Sequence, residues 1–263
     1  MRVFASLLGL SLLAAPAEAA PRRVASLNLC TDELLLLLGN PAQVASVTHL
    51  SHSPLETLHW RTARRYRAND GSLLSVARLK PDLLLTMGGG ARDRGTIARR
   101  LGVPVVNLPY PQSIADLRRS VAVVGTALGR REQASAVIRR IEALERTAPA
   151  QQADAIWLAG GGRTINATGL AAEWMRLAGL RQRTVRGDRI TLEQLLVSPP
   201  AVLLRSDYRQ GQYSGEQRWL AHPLARRARA GRTLRADGRR WTCVGPSLIP
   251  EIERLRRELR NVP

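Results

Sequence analysis

Residues 23–39 read Arg23-Val24-Ala25-Ser26-Leu27-Asn28-Leu29-Cys30-Thr31-Asp32-Glu33-Leu34-Leu35-Leu36-Leu37-Leu38-Gly39. The apolar run Val24 to Leu27 predicts a short strand. The polar turn Asn28 to Thr31 follows, and a leucine-rich helix begins at once. Thr31 is the expected N-cap, and Asp32 and Glu33 in the first turn suit the positive end of the helix dipole. A strand ending in a tight turn at a helix N-terminus points to an α/β sheet. In open sheets of that kind ligands sit above the carboxyl ends of the strands.

Outward from this unit the same grammar recurs. A turn at Asn40 to Gln43 leads to a strand at Val44 to Val47. His49 to Arg67 has no clean period and reads as loop and short helix. Ser72 to Leu79 predicts a helix broken at Lys80-Pro81, then a buried strand at Asp82 to Thr86 ending in Gly88-Gly89-Gly90. A helix over Thr96 to Leu101, a strand over Val103 to Leu108 and a helix over Ile114 to Leu128 complete the first half.

Arg130 to Thr147 has no Gly or Pro, and Ala134, Val137, Ile138, Ile141 and Leu144 recur at helical spacing. At 1.5 Å per residue it reaches roughly 27 Å, enough to bridge two lobes. The second half then repeats the first. Ala155 to Ala159 is a strand ending in Gly160-Gly161-Gly162. Ala171 to Ala178 is a helix closed by Gly179. Leu192 to Val197, Pro199-Pro200 and Val202 to Leu204 echo Leu73 to Leu85. A strand from Gly231 to Leu234, another near Arg240-Trp241, and a helix over Pro250 to Leu259 close the chain. Alternating units of this kind predict mostly parallel α/β sheets. The expectation is two lobes, each a parallel sheet flanked by helices, joined by one long rigid helix, with a ligand cleft between them.

Before the first strand, the basic start Met1-Arg2, the apolar run Val3 to Ala15 and the small-x-small pattern Ala17-Glu18-Ala19 read as a secretory signal peptide cleaved after Ala19. The expected division is 1–19 signal, 20–128 first lobe, 129–149 linker helix and 150–263 second lobe. No later stretch is apolar enough to span a bilayer.

The formal net charge is +19, and Lys80 is the only lysine among 40 basic residues. The arginines are scattered in pairs and aromatics are few, so solvated helix faces account for them better than a nucleic-acid surface. Cys30 and Cys243 are the only cysteines. In an oxidising compartment they are either one bridge or two separate thiols.

Taken in order, the motifs resemble a known family. They are Arg23 to Leu27 with its polar turn and Glu33-Leu34-Leu35; Leu79-Lys80-Pro81-Asp82-Leu83-Leu84; Leu101 to Val106; the long helix after Ala127-Leu128-Gly129; Leu192 to Leu196; and Trp241 to Pro246. Together they resemble the periplasmic substrate-binding proteins of ABC importers whose lobes are joined by a rigid helix. The resemblance implies capture of cobalamin, a ferric siderophore or haem, delivery to a permease at the inner membrane, a monomer, no cofactor and no chemistry. It places the cleft at Asn28, Leu29, Cys30 and Thr31; Gly88 and Gly89; Tyr110; Gly161 and Arg163; Arg205 and Tyr208; and Trp241 and Cys243. Tyr110, Tyr208 and Trp241 are suited to packing on a flat ligand. Arg163, Arg205 and Arg209 are suited to carboxylate or catecholate oxygens.

The resemblance further implies an acid on each lobe for permease docking. Glu193 fills that place on the second lobe. On the first, Leu74 stands where a glutamate is usual, leaving Asp70, or another acid such as Glu56. The exported compartment and the matched strand-end turns give the expectation of a Cys30–Cys243 disulfide across the hinge side of the cleft.

Other functions leave weaker traces. A carrier of bare zinc or manganese would use His49, His52 and His59, but their spacing is irregular and His222 is distant. An exported hydrolase would need a G-x-S-x-G elbow or H-E-x-x-H, and neither is present. Asp32 and Asp207 are carboxylates without an evident pair.

Overall fold

The computed structural model describes residues 20–88, 98, 102–208, 218, 222–223 and 231–260. The expected signal peptide, Gly89, Gly90 and Arg209 lie outside the described residues, as does the helix expected over Thr96 to Leu101 apart from Ala98, which is helical and buried.

Two parallel sheets organise the chain. The first holds β1 (Val24–Ser26), β2 (Val44–Thr48), β3 (Arg67–Asn69), β4 (Leu83–Met87) and β5 (Val105–Leu108), in the order β3-β2-β1-β4-β5. The second holds β6 (Ala153–Leu158), β7 (Leu180–Gln182), β8 (Val202–Ser206) and β9 (Arg232–Ala236), in the order β7-β6-β8-β9. All pairings between these strands are parallel. β4 is buried along its whole length, as the unbroken apolar run Leu83-Leu84-Leu85 requires of a central parallel strand.

The helices are α1 (Leu29–Leu38), α2 (Trp60–Ala63), α3 (Leu73–Ala77), α4 (Ile114–Ala127), α5 (Arg131–Arg146), α6 (Leu170–Ala178), α7 (Leu192–Val197), α8 (Gly238–Trp241) and α9 (Ile249–Arg260). The helix α5 runs from the first sheet's last helix toward the second sheet. It buries Ala134, Ile141 and Leu144. One apolar cluster takes in Leu35, Leu85 and Val121, then Ile141 of α5, then Trp174, Leu204 and Ile252. Arg256 reinforces that junction. Its guanidinium donates to Leu144 O at 2.6 Å, Thr147 Oγ1 at 2.8 Å and Leu177 O at 2.6 Å, tying α9 to the ends of α5 and α6.

Four local expectations are corrected. The cap of α1 is Asn28, not Thr31: Asn28 is extended (φ −149°, ψ 139°) and its side chain accepts from Cys30 N. Thr31 is instead inside the first turn, fully buried, with its hydroxyl on Ser26 and Asn28 O. Asp32 is not explained by the helix dipole alone; it is turned inward and is fully buried. The region near Arg240-Trp241 is the short helix α8, capped by Asp237, rather than a strand. The helix expected over Ser72 to Leu79 is only Leu73–Ala77, because Lys80 turns to φ 47° before Pro81. The three-residue edge strands β3 and β7 had no expectation at all.

Candidate functional site

Loops at the carboxyl ends of the two sheets meet one another, and the region between them is the candidate site. Cys30 and Cys243 form a disulfide there with Cα atoms 5.2 Å apart, within the range a bridge requires. Next to it Glu33 of α1 accepts from Ser247 N at 2.8 Å, although the two residues belong to different sheets' halves. The loop can approach because residue 245 is glycine: a Cβ there would lie 2.7 Å from Glu33 Oε1. Burial pushes the Glu33 carboxyl above its ordinary range, while Ser247, His59 and Arg240 oppose the shift. Farther along the interface, Ile114 N at the start of α4 donates to Glu173 Oε2 of α6 at 2.6 Å.

Asp32 sits one residue from Glu33 but faces the opposite way. Its Oδ2 accepts from Thr48 N at 3.0 Å, from Ser51 Oγ at 2.6 Å and from the Thr48 hydroxyl. Its Oδ1 is buried and has no hydrogen-bond partner among the described residues. Burial raises its pKa from 3.8 to about 6, against the lowering effect of Ser26, Ser51 and Thr48. The anchored segment is the root of the loop that leaves β2.

Of the cleft residues expected from the sequence, Asn28, Leu29, Cys30 and Cys243 are half-buried, the last two joined by the disulfide. Thr31 points into the lobe and does not reach the cleft. Gly88 is buried at φ 85°, and its N–H is used by Leu108 O at 2.9 Å. Its role is steric: a Cβ would lie 2.4 Å from the Tyr110 ring, so only glycine lets that ring lie over the end of β4. Tyr110 itself is 57% exposed.

On the second lobe, Gly160 to Gly162 form a tight turn after β6. Its carbonyls are engaged within the lobe: Gly160 O by Arg163 N, Gly161 O by Arg189 Nη1 at 3.0 Å, and Gly162 O by Ile190 N at 2.8 Å. Arg163 is exposed beside this turn, and Arg205 is half-buried at the end of β8. Tyr208 follows β8 and donates its hydroxyl to Glu56 Oε2 of the first lobe. Trp241 is only 7% exposed and packs against Trp157 with ring centroids 6.0 Å apart. That places most of its face in the wall rather than in the cleft.

Glu56, an alternative docking acid from the sequence, is 9% exposed and accepts from Tyr208, so it is not presented on the surface for docking. Asp70 and Glu193 are exposed at the loop–helix junctions before α3 and in the first turn of α7. Leu74 and Glu193 occupy the same second position of their helices, and Leu74 is 85% exposed. The three first-lobe histidines do not converge. His49 Nδ1 lies 3.2 Å from Asn69 O, His59 Nε2 lies 3.0 Å from Ser247 Oγ, and His52 Nε2 is buried without a partner.

An open hollow of about 1050 Å³ lies elsewhere, at the amino ends of β4 and β5, lined by Ala20, Arg22, Asp82 and Arg130 among others. It is flanked by the segment before β1, where Asp82 accepts from Arg22 N and Arg23 N, both at 2.8 Å. In parallel sheets the ligand end is the carboxyl end, so the cleft is the candidate site.

Two parallel sheets facing each other across a cleft define a bilobed binding protein, and the sequence agrees. The profile of the periplasmic binding protein family matches residues 24–235, and the chain belongs to that family. Solved structures share its fold. The periplasmic heme-binding protein RhuT from Roseiflexus sp. RS-1 is 18% identical, with a TM-score of 0.68 over 90% of this chain and 98% of that one. The periplasmic vitamin B12 binding protein BtuF of Vibrio cholerae is 17% identical, with a TM-score of 0.64 over 92% and 97%. The siderophore binding protein BauB, bound to two molecules of acinetobactin and ferric iron, is 15% identical, with a TM-score of 0.67 over 91% and 93%. A comparison by sequence with curated proteins finds no match. Among the described residues no helix is long and apolar enough to cross a membrane.

Proposed function

We propose that the chain is the solute-binding component of an ABC importer, exported to the periplasm by residues 1–19 and acting there as a monomer. It takes up a bulky metal chelate or corrinoid, cobalamin or a ferric siderophore, with haem in the same size class, and delivers it to the membrane permease. The lobes 20–128 and 150–263, joined through 129–149, hold the ligand between them. The observation that supports this reading is the family match; with it, the accessible Tyr110 and Arg163 and the half-buried Tyr208 and Arg205, in or beside the loops that follow strands, are assigned to a flat ligand and its anionic groups. Glu193 and Asp70 are the docking acids. Both are exposed and held below the ordinary carboxylate range, Glu193 by its helix N-terminus and Thr191, Asp70 to about 2 by the Ser72 hydroxyl and N–H.

The test is a thermal-shift panel of cobalamin, cobinamide, haem and ferric siderophores on the mature chain. A ligand at a hundredfold excess over its Kd stabilises the native state by about 2.7 kcal/mol, a readily visible shift. No shift with any member of the panel would remove this ligand class.

A further inference from the structure

The contacts across the cleft are unevenly distributed, and the unevenness follows one segment. His49 to His59 leaves the carboxyl end of β2 and reaches the second lobe at three points. Pro54 O accepts from Arg239 Nη1 at 3.2 Å. Glu56 Oε2 accepts from Tyr208 Oη. His59 Nε2 lies within 3.0 Å of Ser247 Oγ. These partners come from α8, from the end of β8 and from the loop beside the disulfide. The segment therefore spans the cleft at the β2–β3 edge of the first sheet and the β8–β9 edge of the second.

Its two ends are fixed differently. The root is held by Thr48 and Ser51 on Asp32. The far end, His59, meets the same Ser247 whose N–H Glu33 holds, three and four residues from the disulfide-bonded pair's own loops. Between them, Pro54 O and the Glu56 carboxylate accept from Arg239 and Tyr208 of the second lobe. The segment's internal bonds are short-range: Ser53 N to Leu50 O at 3.1 Å, Glu56 N to Ser53 O at 3.2 Å and His59 N to Thr57 Oγ1 at 3.1 Å.

We propose that His49 to His59 is a strap that gates one edge of the cleft, with Glu56–Tyr208 as its latch and the Cys30–Cys243 and Glu33–Ser247 contacts as its fixed pivot. The cleft opens at that edge by releasing the strap, while the lobes keep their spacing at the hinge. Glu56 is a positioning residue: it holds Tyr208, and a ligand that uses the Tyr208 ring or hydroxyl must break the latch. This rests on the reading of the cleft as the ligand site, but the test needs no ligand, so its failure and that of the ligand panel are separate results.

The experiment is hydrogen–deuterium exchange on the oxidised, ligand-free mature chain, comparing wild type with Tyr208→Phe and Glu56→Gln. A hydrogen bond to a charged group is worth roughly ten- to a hundredfold in an opening equilibrium. Tyr208→Phe removes the donor and keeps the ring, so the amides of Ser53, Glu56 and Thr57, in the middle of the strap, exchange at least about tenfold faster. Ser247 and the amides of α1 keep their wild-type rates. Glu56→Gln retains an acceptor without the charge and gives a smaller acceleration at the same amides. Unchanged exchange over residues 53–57 in both variants would overturn the latch. Equal acceleration at Ser247 and in α1 would overturn the fixed pivot, because it would mean that the lobes part as a whole.

Discussion

Replacing Asp32 by asparagine isolates the effect of a buried carboxylate on the pH dependence of stability. The Asp32 side chain is fully buried and its pKa is raised from 3.8 to about 6, chiefly by desolvation. The unfolded carboxyl loses its proton near 3.8, whereas the folded one keeps it to about 6. Between these values the native state binds more protons, so stability falls as pH rises through the window. The shift of about 2 units, at 1.36 kcal/mol each, makes the ionised group a burden of roughly 3 kcal/mol at pH 7 that is absent below about pH 4. The asparagine carbonyl can accept from Thr48 and Ser51 in place of Oδ2, and it carries no charge. Urea unfolding at pH 4, 5, 6 and 7 measures the difference between variant and wild type. That difference should move in favour of Asp32→Asn by about 3 kcal/mol from pH 4 to pH 7. Glu33 is present in both proteins, so its own titration largely cancels. A difference that stays flat, or that moves in favour of wild type as pH rises, would refute the assignment of a desolvated, ionisable Asp32.

Other perturbations read out the remaining contacts. Opening the disulfide by Cys30→Ser with Cys243→Ser releases a loop spanning a sequence separation of 213 residues. Loop-closure entropy puts the loss near 5 kcal/mol, measured by chemical unfolding, and a loss under about 1 kcal/mol would count against the bridge as an interlobe tie. Gly88→Ala forces both a positive φ and a collision with the Tyr110 ring. It should lower stability by about 1–3 kcal/mol, whereas Gly102→Ala, also at positive φ but in open space, should lose less. Arg256→Met keeps the stem but leaves Leu144 O and Leu177 O without their donor. Its expected loss is about 2–4 kcal/mol, and a neutral result would show that packing alone holds α5 to α9.

The strands that were legible in the sequence are those whose burial is written in apolar runs, such as Leu83 to Leu85 and Val202 to Leu204. β3 and β7 were not, because Arg67-Ala68-Asn69 and Leu180-Arg181-Gln182 have no run or alternation of their own. They are strands only because β2 and β6 offer them an edge. The cap of α1 was misplaced by one turn because Asn28 and Thr31 are both good capping residues; backbone geometry chose Asn28, and Thr31 went inside. Trp241 illustrates a different limit. The expected strand near it is the helix α8, and its neighbour Trp157, against which it packs, is 84 residues away in sequence. Glu56 and Tyr208 are separated by 152 residues, and nothing local in either segment marks the other. The disulfide was reachable from the exported compartment and the positions the resemblance matches, although Cys30 lies in the first turn of α1 and Cys243 follows α8 rather than a strand.

The apolar cluster that runs from the first sheet through α5 into the second has a consequence for protein engineering. The two lobes are not interchangeable modules. A chimera cut at the linker would part α5, with its buried Ile141 and Leu144, from α4 and α9, which it packs against, and would strand Arg256 opposite foreign carbonyls. A workable graft would have to transplant only the rim loops that follow the strands, leaving the shared interior and its crossing helix as inherited.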